Sequence, residues 1–300
     1  MKKAIGIDIG GTKINIGVID EEGIIIDRIR LDTERNKGRD HILNKLKKAI
    51  GELTAKFHID AVGIGTPGFI NVDTGTVTFS GETIANWGGT NIKEEIENVF
   101  SIPVIVDNDA NVAAIGEGWL GSAKDFNSFI MITLGTGVGG AFYTEKSGII
   151  RGQNWQAGEL GHMILYPNGI KCNCGQNGCA EQYLSGTAIE RLYKEKYKES
   201  LIGKEIFEKA HNGDEKCKSI VNDFINNFAI YLVSLKNLFD PEVVVIGGGV
   251  IGSKEYWLDS VEEQFRKRLN SKTYFSIIPA NLSNDAGMYG AAKLALQLNE

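Results

Sequence analysis

Proline is scarce in this 300-residue chain, with only 5 residues, so its 37 glycines do not mark a disordered proline- and glycine-rich linker. Positive charge is not in excess either: 32 Lys and Arg against 38 Asp and Glu leave a net charge of −6 and a pI near 5.4. No basic field is available to hold nucleic acid or anionic lipid. Long apolar runs are missing, since the stretch after Met1-Lys2-Lys3 is broken by Asp8 and nothing approaches the roughly 18 apolar residues of a membrane span. These absences predict a cytoplasmic protein that engages neither nucleic acid nor membrane. Cysteine is sparse, yet three of the four fall together at Cys172, Cys174 and Cys179, which in a chain lacking an export signal favours a metal over disulfides.

What is present is ordinary globular composition, 42% apolar and 23% charged, in a chain long enough for two cores. Disorder, collagen and coiled coil are excluded. Ile5, Ile7 and Ile9 alternate with Gly6 and Asp8, Gly10-Gly11 breaks the run, and Ile14, Ile16 and Val18 resume it, the pattern of a glycine-turned hairpin. A third strand is expected over Gly23 to Leu31, then a helix carrying Ile42, Leu46, Ile50, Leu53 and Phe57, then a strand from Ala61 to Gly65. The same order returns at Ser128 to Thr144, with Gly148 to Arg151 as a candidate third strand, a helix over Ser219 to Phe239 and a strand into Gly247-Gly248-Gly249. Repetition at this scale predicts two similar α/β domains facing each other across a cleft. The boundary is placed near Ala110, giving residues 1–110 and 111–285, with the apolar-periodic stretch 286–300 packing back on either half.

Three glycine turns, Asp8 to Thr12, Leu134 to Gly140 and Ile246 to Val250, follow apolar strands. Each is either a tight hairpin turn or a place where positive φ and exposed N–H groups receive phosphate. None has the spacing of a P-loop or the βαβ setting of a dinucleotide fingerprint. Asp8 stands beside the first turn, where a carboxylate either caps the hairpin or holds Mg²⁺ through water. Thr12 can add a hydroxyl and Lys13 a charge, although Lys13 equally suits an exposed strand.

From His162 the spacing is His-x9-Cys-x-Cys-x4-Cys, with Gly175 and Gly178 supplying turns. Three sulfurs and an imidazole make a closed tetrahedral set for structural Zn²⁺ through His162, Cys172, Cys174 and Cys179. With no open ligand position, such a zinc does not activate water; it fixes the loop bearing Glu159, His162 and Glu181. Separately, Val104 to Val106 run into Asp107, Asn108 and Asp109 ahead of a small-residue helix, where carboxylates serve as N-caps or as functional groups. Asp109 at the helix mouth can accept a hydroxyl proton.

DIGGTK (8–13), GIGTPG (63–68), DNDANVAA (107–114), LGTGVGG (134–140), GELGH (158–162) and CNCGQNGCAE (172–181) occur in the order found in the ROK family of sugar kinases and related repressors. The chain resembles that family over essentially its whole length. The resemblance implies an α/β, actin-like (ribonuclease H-like) fold of two similar domains, with an ATP and sugar cleft between them, assembled as a homodimer or homotetramer. It implies an ATP- and Mg²⁺-dependent hexose kinase in which Asp109 is the base toward the sugar 6-hydroxyl and Gly68, Asn86, Asn108, Glu159, His162 and Glu181 hold the sugar. Gly10, Gly11 and Thr12 with Gly135, Thr136, Gly137 and Gly139 correspond to its phosphate loops, and Gly247, Gly248 and Gly249 to its adenosine region. Many glucose-specific members carry a Pro-Asn-Leu-Pro-Gly-Trp-like segment, where this chain has SGETIANWGGT at 80–90. Glucose is the first expectation, with N-acetylmannosamine or N-acetylglucosamine as alternatives. The competing classes are a transcriptional regulator, for which the first strand at residue 3 leaves no helix-turn-helix, and a non-catalytic sugar sensor.

Overall fold

The alternating isoleucines near the start form buried strands, and the helical stripes form helices, in a computed structural model that describes residues 1–81 and 83–299. The chain divides into two units. The first comprises Met1–Asp125, Lys146–Ala157 and Asn281–Glu300. It contains β1 (Lys3–Ile9), β2 (Lys13–Asp20), β3 (Ile25–Asp32), α1 (Arg39–Thr54), β4 (Ala61–Thr66), β5 (Phe69–Asn71), β6 (Thr76–Phe79), α2 (Ile92–Phe100), β7 (Val104–Asn108) and α3 (Asp109–Trp119). Its main sheet runs β3-β2-β1-β4-β7, antiparallel across the hairpin and parallel from β1 through β4 to β7.

The second unit, Phe126–Glu145 with Gly158–Ala280, repeats that plan. β8 (Ser128–Leu134) and β9 (Val138–Thr144) form the hairpin. The short β10 (Gly148–Ile149) falls in the 146–157 segment of the first unit, and in the second come α4 (Glu181–Leu184), α5 (Gly186–Tyr197), α6 (Gly203–His211) and α7 (Glu215–Phe239). β11 (Val243–Gly247) lies parallel to β8, and after α8 (Leu258–Arg268) β12 (Ser276–Pro279) lies parallel to β11. The stripe read on α7 is its core face, where Phe224 and Phe228 pack on Trp257 with ring centroids 5.4 and 5.9 Å away. Asp214 caps this helix by accepting from Cys217 N at 2.9 Å, so α7 begins four residues before the expected Ser219.

The division differs from the boundary expected near Ala110. α3 stays with the first unit, and the chain leaves that unit only after Asp125 and revisits it at 146–157. The physical reason lies in α9 (Ala286–Leu296), which packs on β1, β4 and α3. Both helices are rich in alanine and glycine, so backbones meet directly: a Cβ built on Gly63 would lie 1.8 Å from the Ala291 carbonyl oxygen, and one on Gly290 would lie 1.7 Å from that of Val112. Glu117, fully buried at the end of α3, accepts from Ser122 N at 2.8 Å, Leu282 N at 2.9 Å and Asn281 N at 3.3 Å. One carboxylate thus fastens the segments by which the chain leaves the first unit and finally returns to it. Among the described residues no helix is long and apolar enough to cross a membrane.

Candidate active site

Parallel pairing sets the functional residues of the first unit side by side. Asp8 on β1 is in register with Gly65 on β4, and Gly65 and Thr66 are in register with Asp107 and Asn108 on β7. The ends of three strands therefore present Asp8, the Thr66-Pro67-Gly68 turn and the Asp107-Asn108-Asp109 run at one edge, as ligand sites in open α/β sheets do.

Three consecutive polar residues take three different roles. Asn108 is the N-cap of α3, accepting from Ala110 N at 2.8 Å and Asn111 N at 3.3 Å, and its amide donates to the Gly68 carbonyl at 3.1 Å. Asp107, almost fully buried, pairs with Arg151. Asp109 is relieved of capping; its carboxylate accepts the neighbouring Ala110 N–H at 2.9 Å. Burial raises its pKa, partly offset by that N–H. A partly desolvated carboxylate at a helix mouth suits a general base.

Asp8 is pushed up to about 7, first by burial and then by the charge of Asp109, with Asn15 opposing and Asp285 adding to the rise. Gly287 makes room for it, since a Cβ there would stand 2.5 Å from the Asp8 carboxyl carbon. A buried carboxylate whose ionisation the charge of Asp109 opposes is one that a divalent cation relieves, so Asp8 fits Mg²⁺. Because the folded value near 7 exceeds the ordinary 3.8, the native state holds this proton more tightly than the unfolded chain. The ionised side chain therefore costs stability that protonation recovers as pH falls from about 7 toward 4. Asp8→Asn is accordingly expected to raise the melting temperature of the metal-free protein at pH 8 more than at pH 5. Equal shifts at the two pH values, read by calorimetry in chelator, would contradict the assignment.

The glycine turns differ from expectation in their backbone. Among the phosphate-loop and adenosine-region glycines, only Gly248 has positive φ, at 85°; Gly10, Gly11, Gly135, Gly137, Gly139, Gly247 and Gly249 do not. Glycine is used there for space. A Cβ on Gly11, Gly135 or Gly249 would meet nothing within 4 Å, which leaves the backbone open to a ligand. Thr33, buried and absent from any motif, fixes the first turn by donating through Oγ1 to the Gly10 carbonyl at 2.6 Å and through N to that of Thr12 at 2.9 Å. Lys13 stands exposed at the start of β2, paired with Asp32.

In the second unit the Gly135-Thr136-Gly137 turn is clipped to the start of α5, a contact the motifs did not reveal. Gly186 N donates to the Gly135 carbonyl at 2.8 Å, and Thr187 Oγ1 to that of Thr136 at 2.5 Å. Gly248 approaches the same turn so closely that a Cβ would lie 2.4 Å from the Leu134 carbonyl oxygen. The second phosphate turn and the glycine run after β11 thus converge.

His162, Cys172, Cys174 and Cys179 gather with all four ligand atoms within 4.8 Å of one another. Cys174 and Cys179 sulfurs are 3.6 Å apart, and Cys172 Sγ is 3.8 Å from His162 Nδ1. A tetrahedron with Zn–S bonds of about 2.3 Å has edges of about 3.8 Å, so the set fits zinc. Burial and the adjacent Cys174 and Cys172 push the Cys179 thiol up to about 12, a strain that a bound dication reverses. Gly175 and Gly178 do take positive φ, 96° and 83°, as the spacing predicts. With Nδ1 facing the sulfurs, His162 Nε2 lies 3.9 Å from Glu159. Glu181 binds Val138 N at 3.0 Å and reaches Cys172 at 3.9 Å, joining the cysteine loop to the start of β9. Asn86 is exposed at φ 58°, beside Trp87, whose buried indole donates to Thr66 Oγ1 at 2.8 Å. That bond anchors the segment without prolines to the end of β4.

A family model described as the ROK family matches residues 4–298, and the chain belongs to that family. It is 34% identical to a glucokinase of Halalkalibacterium halodurans over 98% of this chain and 94% of that one. It is 32% identical to an N-acetyl-D-glucosamine kinase of Yersinia enterocolitica, over 97% and 98%. Its fold matches a ROK family glucokinase from Streptomyces griseus in complex with glucose and AMPPNP at TM-score 0.84 and 34% identity, covering 98% and 99% of the chains. A ROK hexokinase from Thermus thermophilus matches at TM-score 0.88 and 33% identity, covering 98% of each. The actin-like fold of ROK sugar kinases expected from the motifs is therefore the fold of this chain, with the hairpin, helix and parallel strand occurring in both units.

Proposed function

We propose that this chain is an ATP-dependent hexose kinase that transfers the γ-phosphoryl group to the 6-hydroxyl of glucose. The observation that carries the reading is Asp109, a carboxylate with a raised pKa, freed from capping by Asn108 and placed on the strand edge that also presents Asp8. In the reaction the sugar oxygen bonds to phosphorus, the bond from phosphorus to the bridging oxygen breaks, ADP leaves, and Asp109 takes the hydroxyl proton. Gly68, Asn86, Asn108, Glu159, His162 and Glu181 orient the sugar hydroxyls. Asp8, Gly10, Gly11, Thr12 and Lys13, with Gly135, Thr136, Gly137 and Gly139, hold the phosphates, and Gly247, Gly248 and Gly249 face the adenosine.

Asp8 would hold Mg²⁺, which would neutralise charge on the phosphate oxygens. His162, Cys172, Cys174 and Cys179 would hold a structural Zn²⁺, and that ligation would keep the His162 ring oriented for a sugar hydroxyl. The glucokinase and N-acetylglucosamine kinase relatives are nearly equal in identity, and segment 80–90 lacks the prolines of many glucose enzymes. The second reading is therefore an N-acetylglucosamine or N-acetylmannosamine kinase. The kcat/KM values for glucose and the two acetamido sugars separate them, because one pocket contact reorders such preferences. A homodimer or homotetramer is the assembly the family resemblance favours.

A further inference from the structure

Arg151 belongs to none of the family motifs or proposed sugar contacts, yet it makes a two-bond ion pair with Asp107, two residues before Asp109. Its Nε and Nη2 both reach Asp107 Oδ2, at 2.9 and 2.6 Å, and Asp107 is 1% exposed. The other carboxylate oxygen is taken by Asn111 Nδ2 at 2.9 Å and Asn108 N at 2.7 Å. Four donors therefore saturate a buried carboxylate one residue before Asn108 and two before Asp109. β7 is the edge strand of its sheet, paired with β4. Arg151 is the tie to this junction from a segment 44 residues further along the chain. The tie is itself rigid: Ala157 N donates to the Arg151 carbonyl at 3.0 Å, closing a turn whose Gly152 and Trp155 have φ of 74° and 55°. Gly158 and Glu159 follow that turn directly.

We propose that Arg151 is a positioning residue for phosphoryl transfer, acting through Asp107 to hold Asn108 and Asp109 in the orientation that proton transfer needs. The inference rests on the reading of Asp109 as the base. Removing the guanidinium leaves a buried charge short of two donors, and a carboxylate in that state moves toward water or takes a proton. Either change displaces the backbone N–H of Asn108, which Asp107 holds, and with it the cap and the base. A displacement of about 1 Å at reacting groups costs on the order of 100-fold in rate. Lysine supplies a point charge without the fork and cannot satisfy the same geometry.

The test is steady-state kinetics of Arg151→Met, Arg151→Lys and Arg151→Ala beside Asp109→Asn, with melting temperatures for each. Arg151→Met is expected to lose about 100-fold in kcat and Arg151→Lys about 10-fold, with the KM for ATP within about twofold of the parent. Ethylguanidinium added to Arg151→Ala is expected to restore part of kcat and to do nothing for Asp109→Asn. A folded Arg151→Met with parental kcat overturns the proposal, as does loss of kcat that ethylguanidinium leaves untouched. If Arg151→Met does not fold, parental kcat in Arg151→Lys overturns it. Full turnover by Asp109→Asn removes the base reading itself, whereas a silent Asp109→Asn beside an active Arg151→Met removes only the positioning role.

Discussion

Asp109→Asn is expected to lower kcat by about 10²- to 10⁴-fold while zinc content and glucose affinity stay close to those of the parent. The substitution keeps the size and the acceptor oxygen that meets Ala110 N, so the start of α3, capped by Asn108, is retained. What it removes is the ability to take a proton. The raised pKa of Asp109 has a second consequence: the base works only when ionised, so kcat rises with pH through a midpoint above the ordinary carboxylate range. Kinetics of the pure variant, with a pH profile of the parent, check both parts. An Asp109→Asn enzyme with undiminished kcat would show that another group accepts the proton.

Cys174→Ser is expected to strip the protein of zinc and to raise the KM for sugar by about 10-fold or more, with a smaller change in the KM for ATP. Cys174 is the exposed member of the cluster, so the substitution opens no cavity in a core. It leaves three ligands, and the loop from His162 to Glu181 then loses the bond that joins its ends. Glu159 pairs with His162, and Glu181 reaches both Cys172 and Val138 N, so disorder at the cluster passes directly to residues assigned to the sugar. Metal analysis and sugar kinetics of parent and variant decide the matter. Parent protein purified without zinc, or a zinc-free variant with parental sugar KM, contradicts the account.

The parts of the site legible in the sequence are those whose information is local. Cys172, Cys174 and Cys179 lie within eight residues, and the turns at Gly175 and Gly178 can be read from glycine alone. The hairpins and parallel strands follow from period-two patterns and from apolar runs bounded by turns, and the repeat makes each half support the reading of the other. Contacts that span long stretches of chain were not legible. The Asp107 and Arg151 partners are 44 residues apart, Thr33 meets the Gly10 carbonyl from just past the end of β3, and Gly186 meets Gly135 from the start of a helix. The division into units differs from the expected boundary for a related reason: α3 follows the strand that ends the first half, but its small-residue face is committed to α9 at the far end of the chain. The glycine pattern does not reveal its own backbone geometry, since most of these glycines lack positive φ, and Gly11, Gly135 and Gly249 leave open space where a side chain would stand.

The most direct test is phosphorus NMR of the product formed by the purified protein from glucose and Mg-ATP, with ADP release followed in parallel. The account predicts one equivalent of glucose 6-phosphate for each ADP, and none with Asp109→Asn over the same period. ADP release without a sugar phosphate, phosphate on another hydroxyl, or no turnover of glucose by zinc-loaded, folded protein would contradict it.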